Sequence, residues 1–241
     1  KQQYLSDFFE LLLTTGLKRE SGQFFTPVPV AQFVIKSLPI DNIIKEKLQK
    51  GERGEYLPYV IDYAAGSGHF LTETMHEVQR IIDNNEFPEV KAEVKRFIKQ
   101  AKEFHFDWAF DYVYGIEKDY RLVKVGKVGC YLHGDGLANV ILSDGLANFS
   151  NNKEYKGKLR KQGNDGQKDN QQFDILLSNP PYSVSSFRQT TRDYYTEQDF
   201  ELYNSLTDNS SEIECLFVER IKQLLKDGGI AGVILPSSIL S

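Results

Sequence analysis

The chain has 241 residues, 40% hydrophobic and 26% charged, the balance of a globular protein and not of a disordered one. Its 29 Lys and Arg against 34 Asp and Glu leave a formal charge of −5, which excludes coating of nucleic acid through bulk positive charge. Two cysteines, Cys130 and Cys215, are too few for a disulfide framework, no Cys/His cluster has zinc-site spacing, and no apolar run reaches the roughly 20 residues of a membrane span, so a reducing cytoplasm fits best.

The run from Tyr4 to Leu13 reads as a helix too apolar to stand alone, so residues 1–20 are expected to be the remnant of an N-terminal helical domain. The chain opens on Lys1 and stops at Ser241 directly after an apolar segment, and it reads as a piece of something longer. Gly22 breaks the first pattern, Pro27 and Pro29 flank Val28, and a short helix is predicted over 31–38. Tyr59-Val60-Ile61 is a short β-branched run ended by Asp62 and a glycine loop, which predicts a buried strand. A helix follows over 70–82. Val90, Val94, Phe97, Ile98, Ala101 and Phe104 then recur with a period near 3.6 and predict an amphipathic helix. Residues 112–116 form a second strand, a helix runs from Asp119 to about Leu132, and strands three and four lie at 140–142 and 173–177. Ile213, Leu216, Phe217, Ile221, Leu224 and Leu225 mark one helix face, Gly228-Gly229 ends that helix, and 230–235 forms a fifth strand stopped by Pro236. Residues 150–171 offer little to bury and read as a solvated, mobile insertion.

Strands alternating with helices at this spacing predict an α/β fold, a mainly parallel Rossmann-like sheet with helices on both faces, truncated before its last strands. Ligands bind such sheets at the carboxyl ends of the strands, where strand order reverses. The chemistry is therefore sought just after each strand.

Directly after the first strand stands Asp62-Tyr63-Ala64-Ala65-Gly66-Ser67-Gly68-His69-Phe70-Leu71. Gly66 and Gly68 allow close approach of backbone to a ligand, and Asp62 ends the strand with a carboxylate. The dinucleotide fingerprint requires a third glycine where Leu71 stands, so a pyrophosphate loses ground. An adenosyl ligand without phosphates, cationic at its amino-acid end, suits an acidic loop better. Glu117 closes the second strand, where a carboxylate can take both hydroxyls of a ribose.

Ser178-Asn179-Pro180-Pro181-Tyr182 follows the fourth strand. Consecutive prolines lack N–H groups and fix φ, so they hold a rigid, irregular backbone. That geometry can aim the Asn179 side-chain oxygen and the Pro180 carbonyl at one point, which selects a planar amino group. Tyr182 adds a face for stacking.

Taken together, Gly22-Gln23-Phe24-Phe25-Thr26-Pro27, the 62–71 loop, Glu117, Ser143-Asp144-Gly145-Leu146 and the Asn179–Tyr182 segment resemble the S-adenosylmethionine-dependent adenine-N6 DNA methyltransferases, in that family's order. The likeness is greatest to modification subunits of type I restriction enzymes and related fused restriction-modification proteins. It spans residues 20–241, so 21–241 is expected to be one methyltransferase domain. The resemblance implies that Gln23, Phe24, Phe25, Thr26 and Pro27 meet the methionine end of S-adenosylmethionine. Asp62, Ala64, Gly66, Ser67 and Gly68 would line that end, and Glu117 would hold the ribose. Two acids, Asp135 and Asp144, are candidates for the cofactor's adenine ring. Asp144 is preferred because it follows a strand, with Leu146 as its apolar neighbour. Asn179, Pro180, Pro181 and Tyr182 would carry the target base as the catalytic group. Tyr63 stands where the family usually has Pro, and His69 where a small residue is frequent; His69 reads as a packed or solvated side chain.

The expected activity is methylation of a flipped-out adenine in double-stranded DNA within a restriction-modification system. The implied partners are a specificity subunit or fused target-recognition domain, and a restriction nuclease, with no membrane. Similar Asn-Pro-Pro-aromatic segments occur in protein-glutamine and guanine-N2 RNA methyltransferases, and a non-catalytic cofactor-binding scaffold subunit is a third reading.

Overall fold

The computed structural model describes residues 26–133, 139–147, 159, 171–182, 184, 187–188, 199–210 and 212–240. Five parallel strands form one sheet: β1 (Val60–Asp62), β2 (Val113–Glu117), β3 (Asn139–Leu142), β4 (Phe173–Ser178) and β5 (Leu225–Val233), in spatial order β3-β2-β1-β4-β5. Every residue of β1 and β2 is buried, which is why these strands read as continuous apolar runs and not as an alternation. The chain lays strands outward in one direction as far as β3, then resumes on the other side of β1 with β4. Order therefore reverses between β1 and β4.

The α-helices among the described residues are α1 (Val28–Lys36), α2 (Ile40–Lys50), α3 (His69–Asn84), α4 (Ala92–Glu103), α5 (Ala109–Tyr112), α6 (Tyr120–His133) and α7 (Glu214–Leu224). Helices α3 and α6 pack on each other and on β2, whereas α7 packs on β4 and β5 across the reversal. Helix α3 turns Phe70, Leu71, Met75, Val78, Ile81 and Ile82 inward. Its approach to β2 is close enough that a Cβ on Gly115 would lie 2.7 Å from Leu71 Cδ1. Phe173, Ile175 and Leu176 of β4 and Leu216 and Leu224 of α7, the helix that packs on β4 and β5, are all fully buried. Burial of one such side chain contributes about 1.5–3 kcal/mol.

The strand and helix pattern agrees broadly with the sequence expectation. Tyr112, expected to open the second strand, instead ends the unexpected single-turn helix α5. The 3-10 helices Glu201–Ser205 and Ser237–Leu240 are also unexpected, and three further differences stand out. Helix α1 begins at Val28, ahead of the expected 31, because Pro29 sits in its first turn, where a missing N–H costs nothing. Helix α2 is not among the expected elements, although Ile40, Ile44 and Leu48 bury one stripe and Gly51 closes it at φ 58°. Gly228-Gly229 lie inside β5 instead of ending the preceding helix. Register passes from Phe173↔Leu225 to Ile175↔Ile230, so residues 226–229 bulge out of the ladder, with Gly228 at φ 76°.

Leu159 is buried in the core, contrary to the solvated insertion expected over 150–171; Gln171 is exposed, and the other residues of that range lie outside the described residues. The expected N-terminal helical segment also lies outside them. Among the described residues, no helix is long and apolar enough to cross a membrane.

Candidate active site

The loop after β1 lies across the end of β2. Asp62 Oδ1 accepts from the Ala64 N–H at 3.0 Å, Ala65 donates to the Ile116 carbonyl at 2.9 Å, and Gly66 donates to Glu117 Oε2 at 2.8 Å. Both glycines have left-handed backbone, φ 54° at Gly66 and 88° at Gly68, but they serve different ends. A Cβ on Gly66 would meet nothing within 4 Å, so this residue faces open space. A Cβ on Gly68 would lie 3.3 Å from Gly126 Cα, so this residue admits α6. Ser67, between them, is buried, and Ala64 is half-buried.

Acids end three neighbouring strands. Asp62 is wholly buried, and that burial pushes its carboxyl up to about 7, against the Ala64 N–H and with added repulsion from Glu117. Glu117 is also raised, mainly by burial, while N–H groups of Asp119, Gly66 and Lys118 favour its ionised form. Its second oxygen, Oε1, accepts from the Asp119 N–H at 2.7 Å. Asp144, half-buried just beyond β3, accepts from the Leu146 N–H at 3.0 Å and pairs with Lys118 at 2.7 Å. Leu146 lies entirely within the core, and its carbonyl accepts from Arg220. It backs the rim from inside and presents no accessible side chain. Gly145 runs hard against the first loop, since a Cβ there would be 2.0 Å from the Tyr63 carbonyl oxygen.

The Asn-Pro-Pro-Tyr segment leaves β4 next to β1, across the reversal. Pro180 is buried, Asn179, Pro181 and Tyr182 half-buried. Asn179 Nδ2 donates to Thr26 Oγ1 at 3.0 Å, and Asn179 Oδ1 accepts from the Tyr182 hydroxyl. That hydroxyl also lies 3.2 Å from the Ile234 carbonyl, just past β5. Burial raises the Tyr182 phenol, with the Glu214 carboxylate adding to the effect.

Thr26 is the junction. Its carbonyl accepts from His69 Nδ1 at 2.8 Å; a carbonyl only accepts, so Nδ1 carries the hydrogen. Three segments far apart in sequence thus meet at one buried threonine, with Pro27 exposed beside it. Gln23, Phe24, Phe25 and Asp135 lie outside the described residues. His69 is a packed side chain with a specific partner, which nothing in its local pattern signals. Lys118 had a faint signal, as the neighbour of Glu117, and it holds the preferred acid Asp144.

The family model described as N-6 DNA Methylase matches residues 1–241. The type II restriction enzyme and methyltransferase RM.Eco57I of Escherichia coli is 27% identical over 201 residues, 74% of this chain. This chain spans 20% of the length of that curated relative. Among solved structures, the ATP-dependent type ISP restriction-modification enzyme LlaBIII bound to DNA superposes with a TM-score of 0.58 at 16% identity, over 97% of this chain and 17% of its own. The M protein of the type I restriction enzyme EcoKI superposes at 0.51 with 19% identity, over 95% of this chain and 37% of its own. At these identities the structural likeness speaks for the fold.

Proposed function

This chain belongs to the N-6 DNA methylase family, and on that premise we propose that it transfers a methyl group from S-adenosylmethionine to the exocyclic amino nitrogen of an adenine in double-stranded DNA. One observation carries the reading: Asn179, at the end of β4, meets the Thr26–glycine-loop junction at the strand-order reversal.

The residues fit the cofactor. Gly66 faces open space where an amino-acid moiety can approach. Asp62 is a buried carboxyl whose ionised form gains most from a cation placed beside it. Both oxygens of Glu117 are aimed by backbone N–H groups and keep lone pairs for the two ribose hydroxyls. Asp144 is the acid for the adenine ring of the cofactor, and Gln23, Phe24, Phe25, Thr26 and Pro27 the segment over its methionine end. Ala64, Ser67 and Gly68 complete the loop, with Leu146 behind it. Bound there, S-adenosylmethionine supplies an electrophilic methyl group on a sulfonium.

The acceptor side belongs to Asn179, Pro180, Pro181 and Tyr182. An adenine within a duplex is out of reach, so it is flipped out at a cost of a few kcal/mol in unstacking. Stacking on Tyr182 returns about 1–3 kcal/mol of this. Asn179 Oδ1 has a lone pair beyond the one that takes the Tyr182 hydroxyl. With the Pro180 carbonyl, it orients the amino group and stabilises the positive charge that grows on nitrogen.

Recognition of the site in DNA falls to a specificity subunit or a fused target-recognition domain, and cleavage to a restriction nuclease. The test uses the full-length protein with labelled S-adenosylmethionine and three acceptors: unmethylated duplex DNA, tRNA and a release factor. Label in N6-methyladenine of DNA is expected. Label confined to tRNA or to a protein glutamine overturns the proposal, and no transfer to any acceptor with intact cofactor binding leaves the scaffold reading in its place.

A further inference from the structure

The Thr26 junction links two residues that the proposed chemistry keeps apart. His69 opens α3 and is well anchored there, because Thr72 Oγ1 donates to its carbonyl at 3.2 Å and to that of Gly68 at 3.3 Å. From this fixed point its Nδ1–H reaches across 43 residues to the Thr26 carbonyl at 2.8 Å. The hydroxyl of the same threonine takes the Asn179 Nδ2–H at 3.0 Å. Thr26 is only 9% exposed, so water does not readily replace either bond.

We propose that His69 is a positioning residue for methyl transfer: it holds Thr26, and Thr26 holds the Asn179 amide so that its oxygen faces the incoming amino group. The inference rests on the methyl-transfer reading above and deepens it. An Asn side chain turns on a broad terminal torsion, so a bond to Nδ2 decides where Oδ1 points. An error of about 1 Å in a positioning group can lower a rate about 100-fold. His69 donates from Nδ1 in its neutral tautomer and as imidazolium alike, so its role does not depend on its own charge. That feature separates it from a proton-transfer residue.

The experiment measures single-turnover methylation of duplex DNA by the full-length protein at saturating cofactor, together with cofactor Kd and thermal midpoint. His69→Phe keeps a flat ring without the N–H, and His69→Asn restores a short amide donor. Thr26→Val and Thr26→Ser do the same for the hydroxyl. We expect the Phe and Val variants to lose about 10-fold or more in single-turnover rate, with the Asn and Ser variants recovering most of it. In the Asn179→Ala background, Thr26→Val should add no further loss, since its effect passes through that amide. Rates within about 2-fold of wild type in His69→Phe and Thr26→Val overturn the inference. Equal losses in the donor-restoring and donor-lacking variants, tracking a fall in thermal midpoint, overturn it as well. Wild-type protein that methylates no DNA refutes the functional reading itself, whatever the variants do.

Discussion

The Gly66 N–H donates to Glu117 Oε2 at 2.8 Å, across 51 residues of chain. One carboxylate, at the end of β2, thus shapes the loop that follows β1 and keeps lone pairs for a ligand. Glu117→Ala removes the acceptor of two backbone donors, Gly66 and Asp119, and should lower both the thermal midpoint and cofactor affinity. Glu117→Gln keeps one acceptor oxygen. It should fold near the wild-type midpoint and bind cofactor about 10- to 100-fold more weakly, from the loss of a charge-assisted bond worth about 1.5–3 kcal/mol. Calorimetric titration with S-adenosylmethionine, beside thermal unfolding, checks both.

Asp62 sets a pH dependence whose sign follows from its burial. Its carboxyl rises from 3.8 to about 7, so in that window the folded protein holds a proton that the unfolded chain has released. Stability from this group therefore falls as pH rises through the window and is level above about 7. Asp62→Asn should abolish this slope and raise stability at pH 8 by about 0.5–2 kcal/mol, while weakening cofactor binding. A cation beside the carboxylate reverses the preference. Wild-type affinity for S-adenosylmethionine should climb toward pH 7, by up to about tenfold per unit, with proton release on binding at pH 6. Titration in two buffers of different ionisation enthalpy measures that proton, and its absence would count against a cation at Asp62.

Asn179→Ala removes the side-chain oxygen proposed to accept from the target amino group. Methyl transfer to DNA should fall about 10²- to 10³-fold, as when one preorganised transition-state partner is deleted. Cofactor Kd should stay near wild type, because Asp62, Glu117 and the Gly66 loop are untouched. Loss of tight cofactor binding in this variant would place Asn179 on the cofactor side of the site.

Two glycines should respond to alanine in opposite ways. Gly145→Ala drives a Cβ to 2.0 Å from the Tyr63 carbonyl oxygen, a clash with backbone that only movement of a whole loop relieves. Its thermal midpoint should drop sharply. Gly66→Ala meets open space, and costs only the strain of φ 54°, about 1–2 kcal/mol. This variant should fold and lose cofactor affinity, since the added methyl occupies the approach to the loop. Unfolding curves and calorimetry on the pair separate the two roles.

The elements were legible because burial has a local signature. Val60-Ile61 and Ile175-Leu176-Leu177 are apolar on consecutive positions since both faces of the sheet are covered, and α3 and α7 carry their inward faces at helical spacing. Asp62, Glu117 and Asn179 could be picked out for a related reason: each is a polar residue placed where a strand stops. The start of β5 was misjudged because a bulge in the ladder and a helix stop both use Gly-Gly, and only the pairing with β4 tells them apart.

The sequence by itself determined where the strands fall, which strand ends carry polar residues, and where glycine loops follow them, since burial period, turn chemistry and proline geometry act over a few residues. Only the tertiary structure decided that β4 lies beside β1, that Gly68 serves α6 while Gly66 faces open space, and that His69, Thr26 and Asn179 join in one chain of hydrogen bonds. Those pairings span up to 153 residues, and a single polar side chain leaves no periodic trace of its distant partner. Strand order brings such groups within 3 Å of each other, and strand order is a property of the whole packed sheet.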